Sequence, residues 1–261
     1  MRVSAVSFLN TVPLVWGFLR GPQQGLVDLT FDVPSVCADR LATGDADVGI
    51  VPCAELDPLG LDFLSETGIA CRGPVRSILL VSKVPLRRIR SLAADASSRT
   101  SVMLTRVLLA EKYGVVPEWF SHAPVLEEML ANADAALVIG DPALRIEPAV
   151  LPYECLDLGE EWWSFTGLPM VFAVWAGRSR FITPETGRLF RDSCEYGLSR
   201  LDEIIDSPGS RHGFSPEVAR EYLTRYIRFR LGADELAGLD AFRKYAATFR
   251  ARDAELTITS A

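Results

Sequence analysis

Four hydroxyl residues surround one arginine in the stretch Ser97-Ser98-Arg99-Thr100-Ser101, directly ahead of an apolar helical pattern over 102–113. Ser97, Ser98 or Thr100 can cap that helix start, whose first N–H groups have no intrahelical partner. Together with the guanidinium of Arg99, those groups form an anion socket. The plainer alternative is a capped helix with Arg99 merely solvated. The stretch by itself leaves both open.

Other chemistry-bearing residues are sparse. Asn10 follows the first apolar run, and Asp141 sits in Ile139-Gly140-Asp141-Pro142, where an Asp-Pro pair usually turns the backbone. Of the two histidines, His122 follows a strand pattern and His212 lies in a Gly/Ser turn, so both are expected at the surface. Cys37, Cys53, Cys71, Cys155 and Cys194 are scattered with no C-x-x-C pair, which favours buried free thiols over a disulfide framework or a metal set. Asp45 and Asp47 read as a turn into a strand. Trp162, Trp163 and Trp175 read as core or interface residues.

The chain that must position these groups has 261 residues, 49% hydrophobic and 23% charged, with a formal charge of −7. That balance belongs to a globular protein with a real core, in one large domain or two smaller ones. The negative charge argues against nucleic acid or an anionic membrane as partner. An anionic ligand would need a local positive site. Met1-Arg2 runs straight into Val3-Ser4-Ala5-Val6 without a signal-peptide pattern, and no apolar run reaches membrane-spanning length. A cytoplasmic protein with no membrane partner is expected.

Periodicity predicts strands over 2–6, 26–33 and 47–51, with a helix carrying Pro13 in its first turn and a second helix capped by Ser35. Further strands are expected at 68–71 and 76–81, then a proline-punctuated crossing at Lys83-Val84-Pro85. A smaller repeat of the pattern follows: strands at 92–94, 118–121 and 135–139, with helices between them. A strand at 170–175 carries the chain back, and everything after Ala176 reads as helical, with starts at Thr183-Pro184 and Ser215-Pro216 and a last helix over 234–250. The expected architecture is α/β with two lobes: 1–83 with 171–261 as the larger, and 84–170 inserted as the smaller. Ligands then belong in the cleft between the lobes, beyond the carboxyl ends of the strands.

Six strings occur in order: Ser-Phe-Leu-Asn-Thr-Val-Pro-Leu (7–14), Gly-Asp-Ala-Asp-Val-Gly-Ile-Val-Pro (44–52), Arg-Gly-Pro-Val-Arg-Ser (72–77), Ser-Ser-Arg-Thr-Ser-Val (97–102), Ile-Gly-Asp-Pro-Ala-Leu (139–144) and Thr-Gly-Leu-Pro-Met-Val-Phe-Ala-Val-Trp (166–175). In these the chain resembles the chorismate dehydratase family of the futalosine route to menaquinone, over roughly residues 1–176. Phe8 and Cys53 depart from it, where the family often has tyrosine and serine. The resemblance implies a type II periplasmic-binding-protein-like fold, each lobe a mixed sheet flanked by helices. It implies removal of water from chorismate to give 3-[(1-carboxyvinyl)oxy]benzoate, with no metal or organic cofactor.

On that resemblance, Ser98, Arg99 and Thr100 grip one carboxylate while Ser77 and Asn10 face it from the first lobe. Asn10 is the catalytic candidate, because a neutral amide hydrogen-bonds a carboxylate or a leaving hydroxyl without titrating; the alternative is that it only caps the helix at Pro13. Asp141 lies near enough in the pattern to be a base or a substrate contact, and Thr166-Gly167 is expected to add a hydroxyl and a backbone N–H to the pocket. The substrate's own enolpyruvyl carboxylate is the other candidate base. Three rival classes share the architecture: a small-anion binding protein, the effector domain of a regulator, and the sister enzyme that makes 1,4-dihydroxy-6-naphthoate.

Overall fold

The computed structural model of the chain describes residues 1–259, with side chains through Arg252. β1 (Arg2–Val6) leads into a 3-10 turn, Leu9–Thr11, and then α1 (Val12–Arg20), which has Pro13 in its first turn. β2 (Asp28–Asp32), α2 (Pro34–Thr43), β3 (Val48–Pro52) and β4 (Asp62–Cys71) follow. Next come β5 (Ile78–Ser82), β6 (Ser91–Asp95), α3 (Thr100–Leu108) and β7 (Glu118–His122). The chain continues through α4 (Leu126–Asn132), β8 (Ala135–Ile139), α5 (Gly140–Leu144), β9 (Glu154–Asp157) and α6 (Leu158–Thr166). β10 (Met170–Gly177) carries it back to α7 (Pro184–Ser199), α8 (Leu201–Asp206), α9 (Pro216–Glu221), β11 (Arg228–Arg230) and α10 (Ala233–Thr259).

Two sheets make two lobes. The first has the order β11-β4-β10-β3-β1-β2, parallel where β1 meets β2 and β3, antiparallel where β10 meets β3 and β4. The second has the order β7-β6-β8-β5-β9, with β6 parallel to both neighbours and β5 antiparallel to both of its own. β3, β5 and β8 are buried at every position. That explains their unbroken apolar sequences: strands covered on both faces have no polar side to show.

The chain crosses between sheets at 72–77 and again at 167–169. The first crossing comes earlier than the Lys83-Val84-Pro85 reading, because β5 pairs with β8 and β9 rather than with the first sheet. Composition marks β5 as buried but says nothing about its neighbours.

Local corrections have local causes. α2 begins at Pro34 with Val33 at its N-cap, so Ser35 lies inside the first turn and donates its N–H to the Ser97 carbonyl, 3.1 Å away. α3 has Arg99 at its N-cap and no side-chain cap. Ser97 instead turns its hydroxyl back to Asp95 Oδ1 at 2.7 Å. The tail is not wholly helical, since β11 adds to the edge of β4. Thr183 and Ser215 do cap α7 and α9, and Gly114 ends the α3 segment at φ 69° after a π-helical turn, Leu109–Tyr113.

α10 ties the two lobes together. Phe242 and Tyr245 pack edge-on against the buried Trp162 of α6, while Arg243 pairs with Asp57 and Arg250 donates to the Ala54 carbonyl. Trp162 and Trp175 are core residues, as expected.

Candidate active site

A cavity with about 570 Å³ of empty space, including its mouth, opens between the lobes. From the first lobe Phe8, Asn10 and Thr11 line it; from the second, Ser98 to Ser101 and Gly140. Ser77 enters from the crossing segment and Phe172 from β10.

Each group is positioned by its own stretch of backbone. β1 ends at Val6, and the tight 3-10 turn that follows directs Asn10 into the cleft. The 72–77 crossing is held by Asp157, whose carboxylate accepts from Val75 N (2.9 Å) and Arg76 N (2.6 Å) while capping α6 through Gly159 N and Glu160 N. Burial raises the Asp157 pKa from its ordinary value, and those N–H donors oppose the rise. Arg76 adopts φ 67°, a left-handed backbone that non-glycine residues rarely hold. The Asp157 clamp is what holds it, and it sets Ser77 at the cavity wall.

Gly140 is the third fixed point. Its φ is 63°, and a Cβ there would stand 2.5 Å from the Phe8 ring. Only glycine lets the end of β8 approach Phe8 this closely. Its N–H also donates to the Ser77 carbonyl at 2.8 Å, so three lining residues are held in one arrangement.

At the opposite wall, the first bond of α3 runs from Met103 N–H to the Arg99 carbonyl. The N–H groups of the turn before it therefore lack intrahelical partners where Thr100 and Ser101 line the cavity. The Thr100 hydroxyl accepts from Ala54 N at 3.2 Å across the cleft, which leaves its own proton free to donate. Arg99 lines the cavity, but its fork is committed to the first lobe: Nη1 to Glu55 Oε2 at 3.0 Å and Nη2 to Asp39 Oδ1 at 2.5 Å. Burial lowers its pKa and these two carboxylates raise it, with a net upward shift. Neither solvated nor an unencumbered grip, the guanidinium bridges the two lobes at the mouth.

Among the described residues lining the cavity there is no Asp, Glu, His, Lys, Cys or Tyr. Asp141, expected as a base or a substrate contact, is turned away. Its Oδ1 accepts from Leu9 N at 3.0 Å and its Oδ2 lies 2.6 Å from His212 Nδ1. His212 is thus half-buried and engaged rather than a free surface residue. Thr166 and Gly167 do not line the cavity: they finish α6, the Thr166 hydroxyl donating to the Trp162 carbonyl and Gly167 sitting in the left-handed cap at φ 69°. Cys53 is buried with its thiol pKa pushed up by burial, and no described group of three His, Cys, Asp or Glu residues has the placement to hold a metal.

The geometry adds groups that sequence reading missed. Phe172 adds aromatic surface beside Phe8 within a lining that also includes Val6, Ile50, Ile69 and Ile139, and Ser101 extends the hydroxyl row. Tyr222, from the π-helical turn Tyr222–Tyr226 after α9, places its hydroxyl between Asn10 and Ser77. Nothing in its own neighbourhood of sequence signals this.

Comparisons with known proteins agree with this description. The curated chorismate dehydratase of Thermus thermophilus is 31% identical over 230 residues, covering 80% of this chain and 83% of that one. Among solved structures, a protein from Archaeoglobus fulgidus superposes with a TM-score of 0.75 at 18% identity, covering 95% of this chain and 96% of its own. The periplasmic aliphatic sulphonate-binding protein of Escherichia coli superposes with a TM-score of 0.65 at 14% identity, covering 97% and 92%. The fold is therefore periplasmic-binding-protein-like. A family model described as menaquinone biosynthesis matches residues 1–248, and the chain belongs to that family.

Proposed function

We propose that this chain is a chorismate dehydratase, a hydro-lyase that removes water from chorismate to give 3-[(1-carboxyvinyl)oxy]benzoate on the futalosine route to menaquinone. Family membership and the Thermus thermophilus relative support the reading. The observation that carries it is the cavity itself: donors on facing walls, aromatic surface between them, and no titratable base among its described lining residues.

That lining suits a substrate with two carboxylates whose reaction is driven by aromatisation. The α3 N–H groups with Ser98 and Thr100 take one carboxylate, and a helix N-terminus supplies roughly half a positive charge toward it. Asn10 and Ser77 act on the opposite side, where the hydroxyl leaves. The proton leaves C3 and the hydroxide leaves C4, so that a ring double bond forms and proton and hydroxide depart as water. With no base in the wall, the substrate's enolpyruvyl carboxylate is the group that takes the C3 proton, and the protein's part is to fold it over the ring and hold it there. Arg99, paired with Glu55 and Asp39, offsets part of the negative charge those two carboxylates bring to the mouth.

Incubating purified protein with chorismate and following ultraviolet absorbance and product mass tests this. Loss of one water from chorismate is expected. Binding without product would favour a small-anion binding protein, and turnover of a cyclic futalosine derivative instead would favour the sister enzyme.

A further inference from the structure

Tyr222 lies outside every string that carried the sequence reading, yet its hydroxyl is where Asn10 and Ser77 meet. Its Oη is 3.0 Å from Asn10 Nδ2 and 2.7 Å from Ser77 Oγ, on a residue only 2% exposed. A phenol has one proton to donate. With that proton given to Ser77, Tyr222 accepts from the Asn10 amide, and the Ser77 O–H is left to turn into the cavity. The chain of bonds therefore has a direction: amide to phenol, phenol to hydroxyl, hydroxyl to a ligand oxygen.

We propose that Tyr222 is a positioning residue of this site, orienting the Asn10 amide and making Ser77 an obligatory donor toward an oxygen of the bound substrate. The proposal rests on the chorismate dehydratase reading. Two features of the surroundings suit the role. Ser77 is already fixed through its carbonyl by Gly140 N, so its hydroxyl is the only part left to direct. Burial raises the phenol pKa well above its ordinary value, and the nearby Asp141 charge adds to the rise, which keeps Tyr222 a neutral donor. The C-terminal tail then does more than cover the lobes: through this one oxygen it completes the active site.

Tyr222→Phe removes that oxygen and keeps the ring. The kcat for chorismate is expected to fall roughly ten- to a hundred-fold, with KM changed less than about three-fold, because the contacts are loosened where orientation counts. The double variant Y222F/S77A should lose less than the product of the two single losses, since the Ser77 donor chain can be removed only once while the Asn10 amide is still released. A wild-type rate in Y222F, or losses that multiply in the double variant, would overturn the proposal. Crystal structures of wild type and Y222F give a readout free of activity: the Asn10 amide or the Ser77 hydroxyl should rotate, and an unmoved pair would overturn it too. If wild-type protein does not turn over chorismate, the reading of function fails, while the structural comparison still decides whether Tyr222 orients the pair.

Discussion

His212 Nδ1 lies 2.6 Å from Asp141 Oδ2, and the other oxygen of that carboxylate accepts from Leu9 N at 3.0 Å. One side chain at the end of β8 thus joins the second lobe to both the first lobe and the tail. The carboxylate joins these segments and does not line the cavity.

Asp141→Asn should therefore keep activity within about three-fold, because an amide oxygen still accepts from Leu9 N. Asp141→Ala should cost about 1–3 kcal/mol of stability by leaving a buried donor without a partner. Steady-state kinetics and denaturant unfolding check the pair. Near-total loss of turnover in D141N with an intact fold would restore Asp141 as the base.

Arg99 leads to a different expectation from that of a simple anion grip. Removing it frees Glu55, which is 17% exposed at its side chain, as an unpaired negative charge beside the cavity mouth. Arg99→Ala should raise KM for chorismate about ten- to a hundred-fold with a smaller change in kcat, the scale of repulsion between one unpaired carboxylate and a nearby anionic group. Arg99→Lys should rescue poorly, since one ammonium does not reproduce a fork that meets two carboxylates. The combination R99A/E55Q should recover part of the affinity. A double variant no better than R99A would indicate that the guanidinium itself meets the substrate.

Asn10→Ala should lower kcat by about a hundred-fold or more, the scale of losing one oriented polar group at a reacting centre. Asn10→Asp should do no better, since a carboxylate there repels a dianion. Turnover of N10A close to wild type would leave Asn10 with only its structural bond to Tyr222, since α1 has Thr11 at its N-cap and no side-chain cap.

Acid stability should follow the carboxylates paired with arginine. Asp47 with Arg2, and Asp57 with Arg243, are held below the ordinary aspartate value of 3.8, in each case chiefly by the arginine's hydrogen bond. A depressed folded-state pKa gives stability that is present above the unfolded value and is lost as pH falls through the folded one. Melting temperature should accordingly drop as pH falls below about 4. Asp47→Asn should flatten that slope, and an unchanged slope in D47N would rule its pair out as a contributor.

Much of the fold was legible because its causes are local. The unbroken apolar run 135–139 is β8, and Gly114, Thr183 and Ser215 end or start helices where the backbone has unpaired groups to satisfy. Ser77 and the Ser98–Thr100 row could be assigned to the cleft through the family resemblance, and both line the cavity. Asn10 was found in the same way.

What the amino-acid order settled alone, then, was most of the strands and helices and the α/β plan they imply, since each element depends on neighbours a few residues away. The three-dimensional packing decided the rest: that β5 belongs to the second sheet, that Arg99 is spent on Asp39 and Glu55, that Asp141 turns to Leu9 and His212, and that Tyr222 joins Asn10 to Ser77. Those pairings link residues tens to hundreds of positions apart, and a side chain's type states what it can bond but not which distant partner the fold will bring to it.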